Sequence, residues 1–189
     1  MLIFSGGEWA RKGLEDAMGG VARLNRENVA LFVAGDDPDR ERYKRLAGEL
    51  GVGGKVVFGG FRRDIATALA AADVFVFPSW YEAFSLATIE AAACGLPIVA
   101  TRINGTEDFI QPGETGEFID HDAERIAAVL RPLVDDVSLR RTMGENARRL
   151  VERSYTWDHV AAMTEEAYRD YLRGPRDGTA QRNHSLTSA

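Results

Sequence analysis

The chain has 189 residues, 45% of them hydrophobic and 28% charged, with a net charge of −6 and a single cysteine. That is enough material for one well-packed globular domain and short for two. It excludes an internal disulfide, and the acidic balance argues against general nucleic-acid binding, which calls for a basic surface. No apolar run is long enough to span a bilayer and no signal-peptide pattern is present, so the cytoplasm is the expected compartment.

Leu2 to Ser5 reads as an apolar strand that starts at the first residue, so abruptly that the chain is expected to be one half of something larger. Gly6-Gly7-Glu8-Trp9-Ala10-Arg11-Lys12-Gly13 then forms a glycine-rich loop running into an amphipathic helix through about Arg26. Arg11 and Lys12 are either a solvated pair or a site for an anion, because cations at a helix start oppose its dipole and call for compensation. Ala30 to Ala34 is a second strand, followed by Gly35-Asp36-Asp37-Pro38-Asp39. The Asp37-x-Asp39 spacing mimics a metal-binding D-x-D but reads better as capping of the helix that runs to Leu50, since acidic side chains favour a helix start. Lys55 to Gly59 is a third strand. After it, Phe61 and Arg62 are open to two readings: a stacking surface for a flat ligand, or a core phenylalanine and a surface arginine. Ile65 to Ala72 is a short helix.

Val74 to Phe77 has no polar partner and reads as a strand covered on both faces. Pro78 ends it, Ser85 is placed to cap a helix over Ala87 to Cys94, Gly95 and Pro97 stop that helix, and Ile98 to Ala100 is the next strand. Within this unit Glu82 lies in the loop and Glu90 about five residues into the helix, roughly 7–8 Å along the axis at ~1.5 Å per residue. Between them the N–H groups of Phe84, Ser85 and Leu86 are expected to be free, a place where an anion such as pyrophosphate docks. One carboxylate then faces hydroxyls on either side of the anion, which is the layout of a nucleotide-sugar. Cys94 reads as a buried small hydrophobe without the cationic partner that a reactive thiol needs.

Beyond this unit, Asn104-Gly105-Thr106-Glu107 opens a short helical segment, and Gly113 to Gly116 turns into a last strand, Glu117 to Ile119. Helical periodicity follows: Ile126, Val129, Leu130 and Leu133, then Leu139, Met143, Ala147 and Leu150, then a final helix to about Leu172 with Val160, Met163, Ala167 and Tyr171 as its stripe. Residues 174–189 are polar and read as a disordered tail after a domain spanning residues 1–173. His121 and His159 are expected on solvated surfaces, and His184 lies in the tail. Strands alternating with helices about six times call for a parallel sheet covered on both faces.

The run E-A-F-S-L-A-T-I-E-A-A-A-C-G-L-P-I-V-A, from Glu82 to Ala100, with the later G-E-T-G-E-F-I, resembles the E-x7-E signature of the retaining GT-B glycosyltransferases of group 1, similar to bacterial lipopolysaccharide-core and mannosyl transferases. The resemblance implies an α/β, Rossmann-like parallel sheet of about six strands, one half of a GT-B fold, that binds the sugar donor. It implies that Lys12, followed by Gly13, and a nearby arginine hold the donor's phosphates. Where many members carry that arginine just after the first loop glycine, this chain has Gly7, and Arg11 is the substitute. By the same resemblance Gly6 and Gly7 line the donor site, the base sits by Phe61 and Arg62, and Phe84, Ser85 and Leu86 add N–H groups. Glu90 holds the ribose and Glu82 orients the sugar, while Gly105 and Thr106 lie towards the acceptor. No metal and no cofactor are implied, only a UDP-, GDP- or ADP-sugar donor. The expected partner is an N-terminal acceptor-binding domain or a separate chain, with membrane contact only through that half. The alternatives are a non-catalytic nucleotide-sugar-binding subunit and an epimerase or phosphorylase on the same fold.

Overall fold

In the computed structural model, residues 1–173 are described, and the stretch 174–189 expected as a tail lies outside them. Six strands form one sheet: β1 (Leu2–Ser5), β2 (Leu31–Ala34), β3 (Val56–Gly60), β4 (Val74–Phe77), β5 (Ile98–Thr101) and β6 (Gly116–Ile119). Their order is β3-β2-β1-β4-β5-β6, and every neighbouring pair is parallel. The helices are α1 (Leu14–Leu24), α2 (Arg40–Glu49), α3 (Ile65–Ala70), α4 (Leu86–Ala93), α5 (Ala123–Asp135), α6 (Val137–Ser154) and α7 (Trp157–Arg173). None of the helices among the described residues is long and apolar enough to cross a membrane.

The expected sheet is therefore present, and its order explains where a ligand can enter. From β1 the chain winds outward through β2 to β3, then returns to lay β4 against the other side of β1 and winds out through β5 to β6. The loops after β1 and β4 consequently depart to opposite faces, which opens a crevice at the carboxyl end of the sheet. The two sides of that crevice rest on firm strands. All four side chains of β4 and all four of β5 are buried, each large one contributing about 1.5–3 kcal/mol by leaving water. Helix α1 packs against α5 over one face and α4 against α6 over the other.

Helix α1 begins where the glycine-rich loop is expected to end. Residues 9–13 form turns, and Gly13 stands at the N-cap with φ 73°. A Cβ there would lie 1.9 Å from the carbonyl oxygen of Pro78 at the end of β4, so only glycine lets the first helix start this close to the central strand. Arg11 and Lys12 are thereby kept out of the helix and over the crevice.

Residues 155–173 belong to a second unit, separate from Met1–Ser154. Its described part is α7, which has no buried residue; Val160, Met163 and Tyr171 of the expected stripe are all exposed.

Candidate functional site

The loop after β1 is fixed from beneath by Trp9. Its ring is fully buried, sits edge-on to Tyr43 at 5.3 Å, and donates its indole N–H to the carbonyl of Gly6 at 2.9 Å. From the next loop, Asp37 accepts the Trp9 backbone N–H at 2.9 Å. Its other carboxylate oxygen accepts the N–H of Asp39, the N-cap residue of α2, at 2.9 Å, so Asp37 serves the helix start as expected and also ties two loops together, while Asp39 makes no side-chain cap bond.

On this base two groups of the expected residues assemble. The first is an ionic knot. The carboxylate of Glu82 receives Lys12 Nζ at 2.7 Å and a guanidinium nitrogen of Arg11 at 3.1 Å on the same oxygen, Oε1. Lys12 and Glu82 are only 14% and 12% exposed. The Ser79 hydroxyl, fully buried, adds a third bond to that oxygen at 3.2 Å. Arg11 also donates to the Tyr81 carbonyl at 2.5 Å and pairs with Glu8. The Glu8 carboxylate, with Glu82 behind it, pushes the Arg11 pKa above its usual range. The knot thus holds two cations and two carboxylates, so an arriving anion finds charge that is already paired.

The second group is a cleft of about 350 Å³ lined by Gly6, Gly7, Phe61, Arg62 and Glu90, with backbone from the ends of β1 and β2. Lys12 joins cleft to knot. Its side chain lies over Gly6, where a Cβ would come within 2.6 Å of Cδ and Cε. Phe61 is 77% exposed, so the core reading of this residue is set aside. Arg62 makes a two-pronged pair with Asp64 at 3.0 and 2.8 Å.

The start of α4 departs from expectation in detail. Phe84 and Ser85 N–H groups donate to no acceptor among the described residues, but Leu86 N–H bonds the Phe84 carbonyl at 3.1 Å and is not free. Ser85 occupies the N-cap position, yet its hydroxyl pairs with that of Thr88 at 2.7 Å rather than with the backbone, because both are buried and each satisfies the other. Glu90 is the fifth residue of α4 and is exposed towards the cleft. Gly105 does approach this helix start, 2.9 Å from the Ser85 nitrogen at its Cβ position. Thr106 is fully buried and its hydroxyl holds the Ile103 N–H and the Thr101 and Ile103 carbonyls, an internal turn role. Cys94, expected buried, is half-buried at the end of α4, and burial raises its thiol pKa.

His121 departs furthest from expectation. It is not a solvated surface residue: its ring lies parallel to the Trp80 indole, centroids 3.4 Å apart at 6°, and Nδ1 bonds Asp16 of α1 at 2.8 Å. Asp37 and His121 act here through partners distant in the chain, whereas Ser79, the first polar residue beyond a buried strand, lies three residues from Glu82 and carried a local signal. Among the described residues no group of three or more His, Cys, Asp or Glu side chains is arranged to hold a metal ion.

Residues 1–150 match the family described as glycosyl transferases group 1. The chain is 40% identical over 136 residues to the lipopolysaccharide core biosynthesis glycosyltransferase LpsE of Rhizobium meliloti, an alignment covering 71% of this chain and 39% of that protein. It spans less than half the length of the curated relatives it matches. Among solved structures, the sucrose-phosphate synthase of Thermosynechococcus elongatus is similar at TM-score 0.83 and 30% identity, over 92% of this chain and 46% of that one. Anabaena Alr3699/HepE in complex with UDP shares the fold at TM-score 0.84 and 21% identity, over 89% and 48%.

Proposed function

The chain belongs to the glycosyl transferases group 1 family, and on that premise we propose that it is the donor-binding half of a retaining GT-B glycosyltransferase that takes a nucleotide-diphospho-sugar and serves a glycan or lipid-linked acceptor. The observation that carries the reading is the continuity of the crevice: a cleft ending in Glu90 at one side runs past Gly6 to Lys12, which touches Glu82 at 2.7 Å.

A nucleoside diphosphate fits that order of groups. The base lies against the exposed Phe61 ring and Arg62, the ribose hydroxyls meet the Glu90 carboxylate, and the phosphates reach Lys12 and Arg11, with the Phe84 and Ser85 N–H groups at the α4 start adding a dipolar contribution. The sugar then faces Glu82. In the unliganded knot Glu82 holds the cations in place, and the incoming diphosphate competes for them. As the bond to the anomeric carbon breaks, negative charge grows on the diphosphate, and preset cations stabilise that charge more than they stabilise the bound donor.

Calorimetry with UDP-, GDP- and ADP-sugars tests the reading. Micromolar to millimolar binding of one base class is the expected result, and the absence of binding for all three removes it. The acceptor half, in the same polypeptide or a separate chain, is the partner this reading requires.

A further inference from the structure

We infer that His121 is a positioning residue for Glu82, acting through the Trp80 ring; the inference rests on the reading of Glu82 as the carboxylate that faces the donor sugar.

Three elements distant in sequence meet at this point. Asp16 on α1 accepts from His121, His121 follows β6, and Trp80 lies in the loop after β4, two residues before Glu82. The Trp80 backbone is already tied to the knot. Its N–H donates to the Arg11 carbonyl at 2.9 Å, the Ser79 hydroxyl contacts the Arg11 carbonyl and Glu82 Oε1, and Arg11 itself bonds the Tyr81 carbonyl and Glu82. A shift of the Trp80 backbone is thereby passed to Glu82 through Arg11 and Ser79.

Yet the indole is 60% exposed, and core packing does not fix it. The ring that lies flat on it is His121, and the bond to Asp16 sets the plane of that ring. A large exposed aromatic side chain normally samples several rotamers on the nanosecond scale. Clamping one of its faces to an imidazole that is itself hydrogen-bonded is how this loop becomes preorganised, and a carboxylate that must meet particular sugar hydroxyls needs such support from the residues behind it.

The other charges near the brace are engaged elsewhere. Asp120 pairs with Arg125, and Asp122 accepts the Arg125 N–H at the start of α5. Asp16 is thus the carboxylate that orients His121.

The test uses three variants: His121→Ala, which removes both contacts, His121→Phe, which keeps a flat ring on the indole, and Asp16→Asn. In the unliganded chain, amide hydrogen exchange at Trp80 and Glu82 should speed up tenfold or more in His121→Ala while the β1 amides hold, and His121→Phe should restore most of the protection. In calorimetry, His121→Ala should lose at least fivefold more affinity for UDP-glucose than for UDP. Unchanged exchange at Trp80 and Glu82, or equal losses for the two ligands, overturns the inference. If His121→Ala exchanges throughout β1 as well, His121→Phe and Asp16→Asn decide the matter by the same local measurement. Should the unmutated chain bind no nucleotide or nucleotide-sugar at all, the donor-site reading fails, and the exchange data still report separately whether His121 holds the loop.

Discussion

Lys12 and Glu82, seventy residues apart in the chain, meet at 2.7 Å across the opening between β1 and β4. The contact ties the two loops that diverge at the switch point of the sheet, and it sets the cation that would meet a phosphate beside the carboxylate that would meet a sugar. Removing Lys12 therefore has two consequences. Glu82 keeps Arg11 and Ser79 as partners, so Lys12→Ala should cost the fold only about 1–2 kcal/mol, less than the 3–5 kcal/mol of a buried charge stranded outright. It should weaken binding of a nucleoside diphosphate strongly and of the nucleoside hardly at all. Calorimetry with UDP and uridine, or the matching pair for another base, measures the difference, and equal losses would take Lys12 out of the phosphate site.

Glu90 is exposed at the far end of the cleft, and among the described residues its carboxylate makes no hydrogen bond or ion pair that the fold needs. A charged hydrogen bond to ribose hydroxyls is worth about 1.5–3 kcal/mol. Glu90→Ala should accordingly weaken nucleoside diphosphate binding roughly tenfold or more with an unchanged melting temperature. Unaltered affinity would remove Glu90 from the site.

Phe61 gives a cleaner separation of fold from function. At 77% exposure, its truncation to alanine should change stability by no more than about 0.5 kcal/mol. If a base stacks on the ring, the same truncation should cost about 1–3 kcal/mol of binding free energy. A nucleotide titration of Phe61→Ala that matches the unmutated chain would assign the base to Arg62 or to the backbone.

Gly6 and Gly13 should respond differently to alanine. At Gly13 the new Cβ would strike the Pro78 carbonyl oxygen, which is backbone and cannot yield, so the loss should appear as a lower melting temperature. At Gly6 the φ of 131° costs about 1–3 kcal/mol of strain, and the obstacle is the flexible Lys12 side chain. Displacing that side chain should abolish much of the diphosphate affinity. Thermal unfolding and calorimetry on the two variants distinguish these outcomes.

These residues also show what was legible in the sequence. The unit from Val74 to Thr101 declared itself because its signals are local: uninterrupted apolar strands, a run of alanines, then Gly95 and Pro97. The resemblance named Lys12, Arg11 and Glu82, and the fold brings them onto one oxygen. Residues 6–13 were legible as a loop, but nothing local reveals that Gly13 must pass within touching distance of Pro78. Asp37 serves the start of its own helix, as an acidic residue there ordinarily does, but its tie to Trp9 was not legible because that partner is 28 residues away. His121 had no sequence signal at all. Its role exists only once α1, the β4 loop and the end of β6 are adjacent in space.

The last prediction is that this chain alone binds its donor and transfers nothing. The described residues form one sheet. The relatives it matches are about twice its length. Transfer requires an acceptor oxygen held in line with the anomeric carbon, and in the proposed plan that oxygen is positioned by the other half. Losing such positioning forfeits up to about 7–11 kcal/mol, which at about 1.36 kcal/mol per decade is roughly five to eight powers of ten in rate. The knot of Lys12, Arg11 and Glu82 is complete without the other half, so donor affinity should survive in the micromolar to millimolar range. A product assay with a defined acceptor, run on the isolated chain and again with an acceptor-binding half restored, should show transfer only in the second case. Robust transfer by the isolated chain would mean that this crevice positions the acceptor itself.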